Sequence, residues 1–167
     1  RRRGGKLVSD RRYFEDYAPG VTIGSARRTV TETDILVWSG LVGDFNPAHV
    51  DIVHAATTPF GQRIAHGNIA FNLSVSLALG KVPGDYRPEG FIRLAGWEKV
   101  RFTAPVFIGD TLRAERTLEA MEDGPDADSG VLVFSVRVIK DQDETVMVGT
   151  ERLLVRRAPT DERKGTQ

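Results

Sequence analysis

A chain of 167 residues is long enough for one domain with a substantial core and too short for two ordinary domains. Its 23 Lys and Arg residues balance 23 Asp and Glu residues, which excludes a general electrostatic attraction to nucleic acid or anionic membranes. The sequence lacks cysteine and has no apolar run near the roughly 18 residues of a membrane span, which excludes disulfides, a cysteine nucleophile and a membrane helix and makes the cytoplasm the expected location.

The two ends of the chain differ in composition from the residues between them. Residues 1–12 and 157–167 are charged and poor in large apolar side chains, so we expect a flexible basic tail, one domain at 13–156 and a flexible polar tail. No internal repeat or low-complexity linker divides the middle of the chain, which favours a single domain.

The first predicted elements are a strand and a helix. Residues 21–30 alternate loosely in polarity and predict a short strand. Thr31 and Asp34 approximate a capping box, which marks the start of a helix. The apolar residues that follow recur at roughly helical spacing, so we predict a short helix that delivers the chain to Gly43.

A second helix is predicted after an irregular segment. Pro47 predicts the end of regular helix, and residues 50–61 have the mixed composition of a long loop. The apolar residues of 66–79 leave no face of a helix strongly polar. Such a helix is expected to be enclosed by other elements on all sides.

Four segments with strand character follow the second helix, at residues 91–102, 111–121, 131–139 and 146–155. Turn-forming sequences separate them, which predicts an antiparallel meander. One apolar sheet face and one apolar helix can bury each other, so we predict an α+β fold in which a curved antiparallel sheet wraps around the long central helix. A single protomer would leave sheet edges open, which favours pairing with a second copy.

The segment GDFNPAH brings an acid and an imidazole together. Asp44 and His49 flank an Asn-Pro pair, which forces a bend and can turn both side chains toward one point. A carboxylate and an imidazole that face one water molecule are the minimum apparatus for proton transfer near neutral pH. Asp-x-Asn-Pro is also good turn chemistry, and a histidine in this position can simply be packed. Spacing alone therefore leaves a catalytic and a structural interpretation open.

The step His66-Gly67 stands where the second predicted helix begins. Backbone amides in the first turn of a helix lack acceptors within it, and the helix dipole adds positive potential there. A carbonyl oxygen that gains negative charge would be stabilised at this point, and Gly67 would let it approach without a side chain in the way. The alternative is that Gly67 only relieves crowding at the helix entry.

A metal centre is a further alternative. The candidate ligands are Asp44, His49, Asp51, His54 and His66, which include every histidine in the chain. His49 and His54 are five residues apart, which does not place them on one helical face and is not a His-Glu-x-x-His pattern. We therefore predict no metal and expect His54 to be a partly exposed loop residue. The sequence also lacks a G-x-S-x-G context, which disfavours a nucleophilic serine.

Three segments occur in a characteristic order: GDFNPAHVD, RIAHGNIAFNLSVSLALG and VRFTAPVFIGDTL. In this order and with these gaps they resemble the MaoC-like dehydratase family, which includes the (R)-specific enoyl-CoA hydratases. The opening YFEDYAPG and the late run ETVMVGTERLLV are similar to the same family, so the resemblance covers most of residues 13–155. It implies a hot-dog fold whose sheet wraps around a helix at 66–79, and protomers that pair as homodimers or as an assembly of dimers.

The resemblance also implies an activity. Asp44 and His49 match the family residues that activate the water added across the double bond of a 2-enoyl-CoA thioester, giving (R)-3-hydroxyacyl-CoA, or that catalyse the reverse dehydration. The amide of Gly67 matches the group that polarises the thioester carbonyl. Asn46, His66 and Asn68 are the expected substrate-binding residues. No cofactor is implied beyond the coenzyme A of the acyl-CoA substrate, and no nucleic acid or membrane partner.

Three positions depart from the family pattern. Val42 and Val75 stand where members commonly carry serine, and Asn68 stands where an apolar residue is usual. These departures motivate an alternative function, a thioester-binding hot-dog module or partner subunit with weak or lost catalysis. A hot-dog thioesterase would use a carboxylate on or near the central helix. Residues 66–79 contain no Asp or Glu, so this third function ranks last.

Overall fold

A computed structural model describes residues 13–79 and 90–159. Among these residues the strands are β1 (Thr22–Gly24), β2 (Arg28–Thr29), β3 (Phe91–Phe102), β4 (Thr111–Asp123), β5 (Ser129–Ile139) and β6 (Thr145–Arg156). The helices are α1 (Glu32–Val42), α2 (Pro47–Val50), α3 (Ile52–Ala56) and α4 (Gly67–Leu79), with short 3₁₀ helices at Phe14–Asp16 and Asp141–Asp143. The predicted tail at 1–12 lies outside the described residues, as does the predicted tail at 157–167 apart from 157–159.

The strands form one antiparallel sheet in the order β1-β4-β5-β6-β3, and β2 also pairs with β4. The four long strands lie where they were predicted, with ends that differ by at most two residues. The meander prediction holds for β4 to β6 but is wrong for β3, which pairs with β6 rather than with its neighbour in sequence. Alternation reveals which face of a strand is buried but not which strand lies beside it, because pairing depends on distant residues.

The central helix α4 packs on the inner face of β4, β5 and β6. Its residues Ile69, Ala70 and Leu73 are buried in the core. The prediction that this helix is enclosed on all sides is wrong for the single chain, because Asn68, Asn72 and Ser76 are exposed. Residues four apart lie on one face of a helix, so these side chains form an exposed polar stripe along α4.

The predicted strand at 21–30 divides into β1 and β2, which both lie along β4. The predicted capping box is confirmed: the amide of Thr31 donates to the Asp34 carboxylate at 2.8 Å, and the Asp34 amide donates to the Thr31 hydroxyl at 3.3 Å. This cap begins α1, which ends at Val42 and delivers the chain to Gly43 as predicted.

Helix α2 begins at Pro47, so the prediction that this proline ends regular helix is wrong. Proline fits the first position of a helix because the amide hydrogen it lacks has no acceptor there. The Asn46 side chain caps α2 by accepting from the Ala48 amide at 3.0 Å. Asp51 caps α3 in the same way, so part of the predicted loop at 50–61 is helical. Among the described residues, no helix has both the length and the apolar character needed to cross a membrane.

Candidate active site

Asp44 directly follows the C-terminal cap of α1. Gly43 adopts a left-handed conformation with φ of 74°, and its amide donates to the Ser39 carbonyl at 2.8 Å. This conformation is one that glycine adopts readily, and it turns the chain sharply out of the helix. The Asp44 carboxylate accepts from the Asn46 amide at 3.2 Å and is half exposed. Its other oxygen is therefore available to a ligand from the solvent side.

His49 lies on α2 with its ring held from one side. Its Nδ1 lies 2.8 Å from the backbone oxygen of Ile64, and a carbonyl oxygen can only accept, so Nδ1 carries the hydrogen. The Ile64 amide donates in turn to the Ala48 oxygen at 3.1 Å, which fixes this loop against α2. The lone pair of the neutral ring is consequently on Nε2, where it can accept a proton.

His66 connects Asp44 and His49. Its ring stacks on that of His49, with centroids 3.7 Å apart and planes inclined by 29°. Its Nε2 donates to the backbone oxygen of Asp44 at 3.2 Å and lies 3.7 Å from the Asp44 carboxylate. Polar side-chain atoms of the three residues lie within 4.8 Å of one another. The structure thus brings together three residues that are 22 positions apart at most.

The His66 side chain is only 4% exposed, and this burial lowers its pKa below the ordinary histidine value. The hydrogen bond to the Asp44 carbonyl opposes the shift but does not reverse it. Burial disfavours the charged imidazolium because the protein interior solvates charge poorly. His66 therefore remains neutral to lower pH than an exposed histidine.

The lowered pKa of His66 should be visible in the pH dependence of protein stability. An unfolded chain binds a proton at His66 below about pH 6.5, whereas the folded chain resists it, so acid favours the unfolded state. Between about pH 7.5 and about pH 5.5 we expect the wild type to lose stability relative to His66→Gln, which keeps a donor toward Asp44 but does not titrate. Glu151, whose pKa burial raises to about 7, titrates in both proteins and cancels in this comparison. Urea denaturation at both pH values measures this. His54→Gln, an exposed position on α3, is the control, and equal pH dependence in the wild type and His66→Gln would contradict the assignment.

Gly67 is the first residue of α4, so its amide has no acceptor within the helix. A Cβ atom at this position would lie 3.1 to 3.2 Å from the ring of Phe102, closer than ordinary packing allows. A cavity of about 380 Å³ lies beside it, lined largely by apolar residues that include Phe60, Ile64, Ala70, Phe102 and Val106. Gly67 therefore places a backbone amide that has no acceptor within the helix beside an apolar cavity.

A comparison with known proteins identifies the family to which this site belongs. The family model described as MaoC like domain matches residues 16–138. The chain belongs to the MaoC-like dehydratase family. The (R)-specific enoyl-CoA hydratase of Rhodospirillum rubrum is 40% identical over 110 residues, which are 65% of this MaoC-like chain and 71% of that enzyme. Protein MaoC of Klebsiella aerogenes is 37% identical over 120 residues, which cover 69% of this chain and only 34% of that relative.

Solved structures support the predicted fold of this MaoC-like chain. A monoamine oxidase regulatory protein from Archaeoglobus superposes with a TM-score of 0.83 at 34% identity, covering 89% of this chain and 97% of its own. A Mycobacterium tuberculosis protein with a double hotdog fold has a TM-score of 0.75 at 15% identity and covers 90% of this chain and 46% of its own, a likeness that concerns the fold alone. The predicted hot-dog fold is confirmed.

The remaining candidate residues of the MaoC-like chain use their side chains elsewhere, although the Asn46 backbone amide donates to Asp44. The amide oxygen of Asn46 is used to cap α2, and the Asn68 side chain is exposed on the first turn of α4. Asp51 caps α3, and His54 is exposed on that helix, so neither belongs to the group formed by Asp44, His49 and His66.

Sequence reasoning missed two parts of the site. The Ile64 carbonyl that orients His49 carries no signal in the sequence, because any residue provides a backbone oxygen. Phe102 was assigned to a strand, but its contact with the helix start at Gly67 depends on how that strand packs.

Proposed function

We propose that this MaoC-like chain adds water across the double bond of 2-enoyl-CoA thioesters to give (R)-3-hydroxyacyl-CoA, and that it catalyses the reverse dehydration. The observation that carries the proposal is the pairing of Asp44 with His49, whose Nε2 lone pair is made available by the bond from Nδ1 to Ile64. The name and 40% identity of the Rhodospirillum rubrum hydratase support the same activity.

In the proposed reaction the thioester oxygen accepts a hydrogen bond from the Gly67 amide. This bond withdraws electron density from the β-carbon and stabilises the enolate-like transition state. His49 Nε2 takes one proton from a water molecule that the Asp44 carboxylate also holds, and the hydroxide oxygen bonds to the β-carbon. The π electrons of the double bond move into the thioester as an enolate, and the proton held on His49 Nε2 then passes to the α-carbon. Water is thus added in full, the His49 ring is neutral again, and no covalent intermediate with the protein forms.

His66 has a different role from the substrate-binding one expected at first. At 4% exposure its side chain has little surface to offer a substrate. Its ring face supports the His49 ring, and its Nε2 holds the backbone of Asp44. We infer that His66 is a positioning residue for the pair, and that its lowered pKa keeps a second positive charge away from His49.

The ring geometry also bears on the metal alternative. Two imidazoles that bind one ion each direct a nitrogen lone pair at it within the ring plane, so both ring planes must pass through the ion. The rings of His49 and His66 instead lie nearly face to face, inclined by 29°. This arrangement favours a proton-transfer pair over a shared metal ion.

We further propose that the working unit is a homodimer. Large apolar side chains on and after α1 are exposed in the single chain: Leu36, Val37, Leu41, Val42, Phe45, Ile52 and Val53. The edge strand β3 adds Ile92 and Leu94. Exposed apolar surface of this extent is typical of protein interfaces, and a second copy would cover it.

The activity can be tested with purified protein and a panel of trans-2-enoyl-CoA thioesters of different chain length and branching. We expect the absorbance of the conjugated enoyl thioester to disappear for at least one member, with (R)-3-hydroxyacyl-CoA as the product. Thioester binding without turnover of any member would contradict the proposal and favour the alternative, a thioester-binding module or partner subunit. The chain would then have lost catalysis, as the departures at Val42, Asn68 and Val75 allow.

A further inference from the structure

A charged pair is buried beneath the central helix. Arg116 on β4 and Glu151 on β6 are 1% and 2% exposed, and Nη1 of the arginine lies 2.7 Å from Oε2 of the glutamate. Arg116 belongs to the inner row of β4, between the buried residues Ala114 and Leu118. The two side chains therefore meet across β5, in the layer between the sheet and α4.

The same arginine also binds the helix. Its Nη2 donates to the backbone oxygen of Ser74 at 2.8 Å, near the middle of α4. A backbone oxygen has two lone pairs, so it can accept this bond in addition to a bond within the helix. The other buried residues of α4, Ile69, Ala70 and Leu73, make apolar contacts, which have no preferred direction. The bond to Ser74 is directional and charged, so it restricts sliding and rotation of the helix.

Packing alone does not explain why a charged pair, rather than two apolar residues, is buried here. Moving two charges out of water is unfavourable, and well-packed apolar residues of similar volume often serve at least as well for stability. What apolar residues cannot supply is a hydrogen bond to one particular carbonyl.

We propose that Arg116 and Glu151 are positioning residues: Glu151 orients the guanidinium, and Arg116 fixes α4 through Ser74 so that the Gly67 amide stands where the thioester oxygen arrives. The inference rests on the proposed function for the role it gives Gly67. Ser74 is seven residues from Gly67, about 10 Å along the helix, and a helix transmits such a shift almost rigidly. A displacement of about 1 Å at a reacting centre can lower turnover by about 100-fold.

The decisive variant replaces both charges. Arg116→Met alone would remove the guanidinium beside a buried carboxyl, and burial already raises the pKa of Glu151 to about 7, against the opposing effect of Arg116. The double variant Arg116→Met with Glu151→Leu avoids this complication. We expect it to fold, with kcat on trans-2-enoyl-CoA reduced by about 10-fold to 100-fold and KM changed by less than about 3-fold.

Two single variants complete the test, Glu151→Gln as the control and Arg116→Lys as a second variant expected to lose activity. Glu151→Gln retains an acceptor for Arg116 and the bond to Ser74, so kcat should stay within about 3-fold of the wild type. Arg116→Lys keeps the charge pair but lacks the planar fork that reaches two partners, so kcat should fall as in the double variant. If the double variant does not fold, the kcat of Arg116→Lys tests the proposal instead. Wild-type kcat in either the folded double variant or Arg116→Lys would overturn the proposal.

Hydrogen exchange separates this proposal from the function on which it rests. Backbone amides of residues 67–76 should exchange faster in the double variant than in the wild type, while those of β5 stay protected. Unchanged exchange in α4 would overturn the anchoring role. If the wild type turned over no enoyl-CoA thioester, the proposed function would fail, and the exchange rates alone would decide whether the pair anchors the helix.

Discussion

Asp44→Asn and His49→Gln are each expected to lower kcat for enoyl-CoA hydration by about 100-fold or more, the usual contribution of a general acid or base. Asn keeps the size of the Asp44 side chain but cannot hold the attacking water as a charged acceptor. Gln at position 49 can still donate to the Ile64 oxygen but offers no basic nitrogen to the water. Initial rates at saturating trans-2-enoyl-CoA measure the effect.

Matched substitutions lie only a few residues away. Asp51→Asn retains the cap of α3, and His54→Gln changes an exposed side chain on the same helix, so both should keep nearly the wild-type rate. Thermal melts would show that all four variants are folded. Wild-type turnover in Asp44→Asn or His49→Gln would mean that the pair is structural, which is the interpretation that the Asp-x-Asn-Pro turn left open.

Gly67→Pro should reduce kcat by about 100-fold to 1000-fold, as the loss of one oxyanion donor does in other enzymes. Proline removes the amide hydrogen that the thioester oxygen would use. It is nevertheless well suited to the first position of a helix, so α4 should still begin at this residue. Single-turnover rates with a reactive enoyl-CoA would separate the chemical step from product release.

Gly67→Ala is the control for bulk, because it adds a Cβ but keeps the amide hydrogen. The added atom would approach the Phe102 ring to 3.1 to 3.2 Å, and Phe102 is half exposed and has room to shift. We expect a much smaller loss of kcat in Gly67→Ala than in Gly67→Pro. Equal losses in the two variants would show that space at the helix start matters rather than the donor.

The features of the fold that local chemistry determines were predictable. The Thr31 capping box, the end of α1 before Gly43 and the alternation of the long strands each depend on residues close together in sequence. The pairing of β3 with β6 was not predictable, because it depends on register and packing between distant segments. The start of α2 was missed because Pro47 was given its usual meaning as a helix breaker, although an Asn before a Pro can equally open a helix.

The sequence predicted which residues form the site better than it predicted what each of them does. The sequence indicated Asp44, His49 and the His66-Gly67 step, but nothing in it placed the ring of His66 against that of His49. Arg116 shows the same limit. Its position between Ala114 and Leu118 in an alternating strand assigns it to the inner face, yet a charged residue is ordinarily expected in solvent. Glu151, which lies on another strand, and the Ser74 oxygen on α4 help to make that burial tolerable.

The pairing of β3 with β6 also sets the time at which the site can form during translation. A nascent chain emerges from the ribosome starting at its N terminus. The segment with Asp44, His49 and Gly67 therefore leaves the ribosome long before Thr145–Arg156. Until that last strand arrives, β3 lacks the strand with which it pairs, Arg116 lacks Glu151, and α4 lacks part of the surface on which it packs. The chemical groups are synthesised early, but they become a working site only when nearly the whole domain has been made.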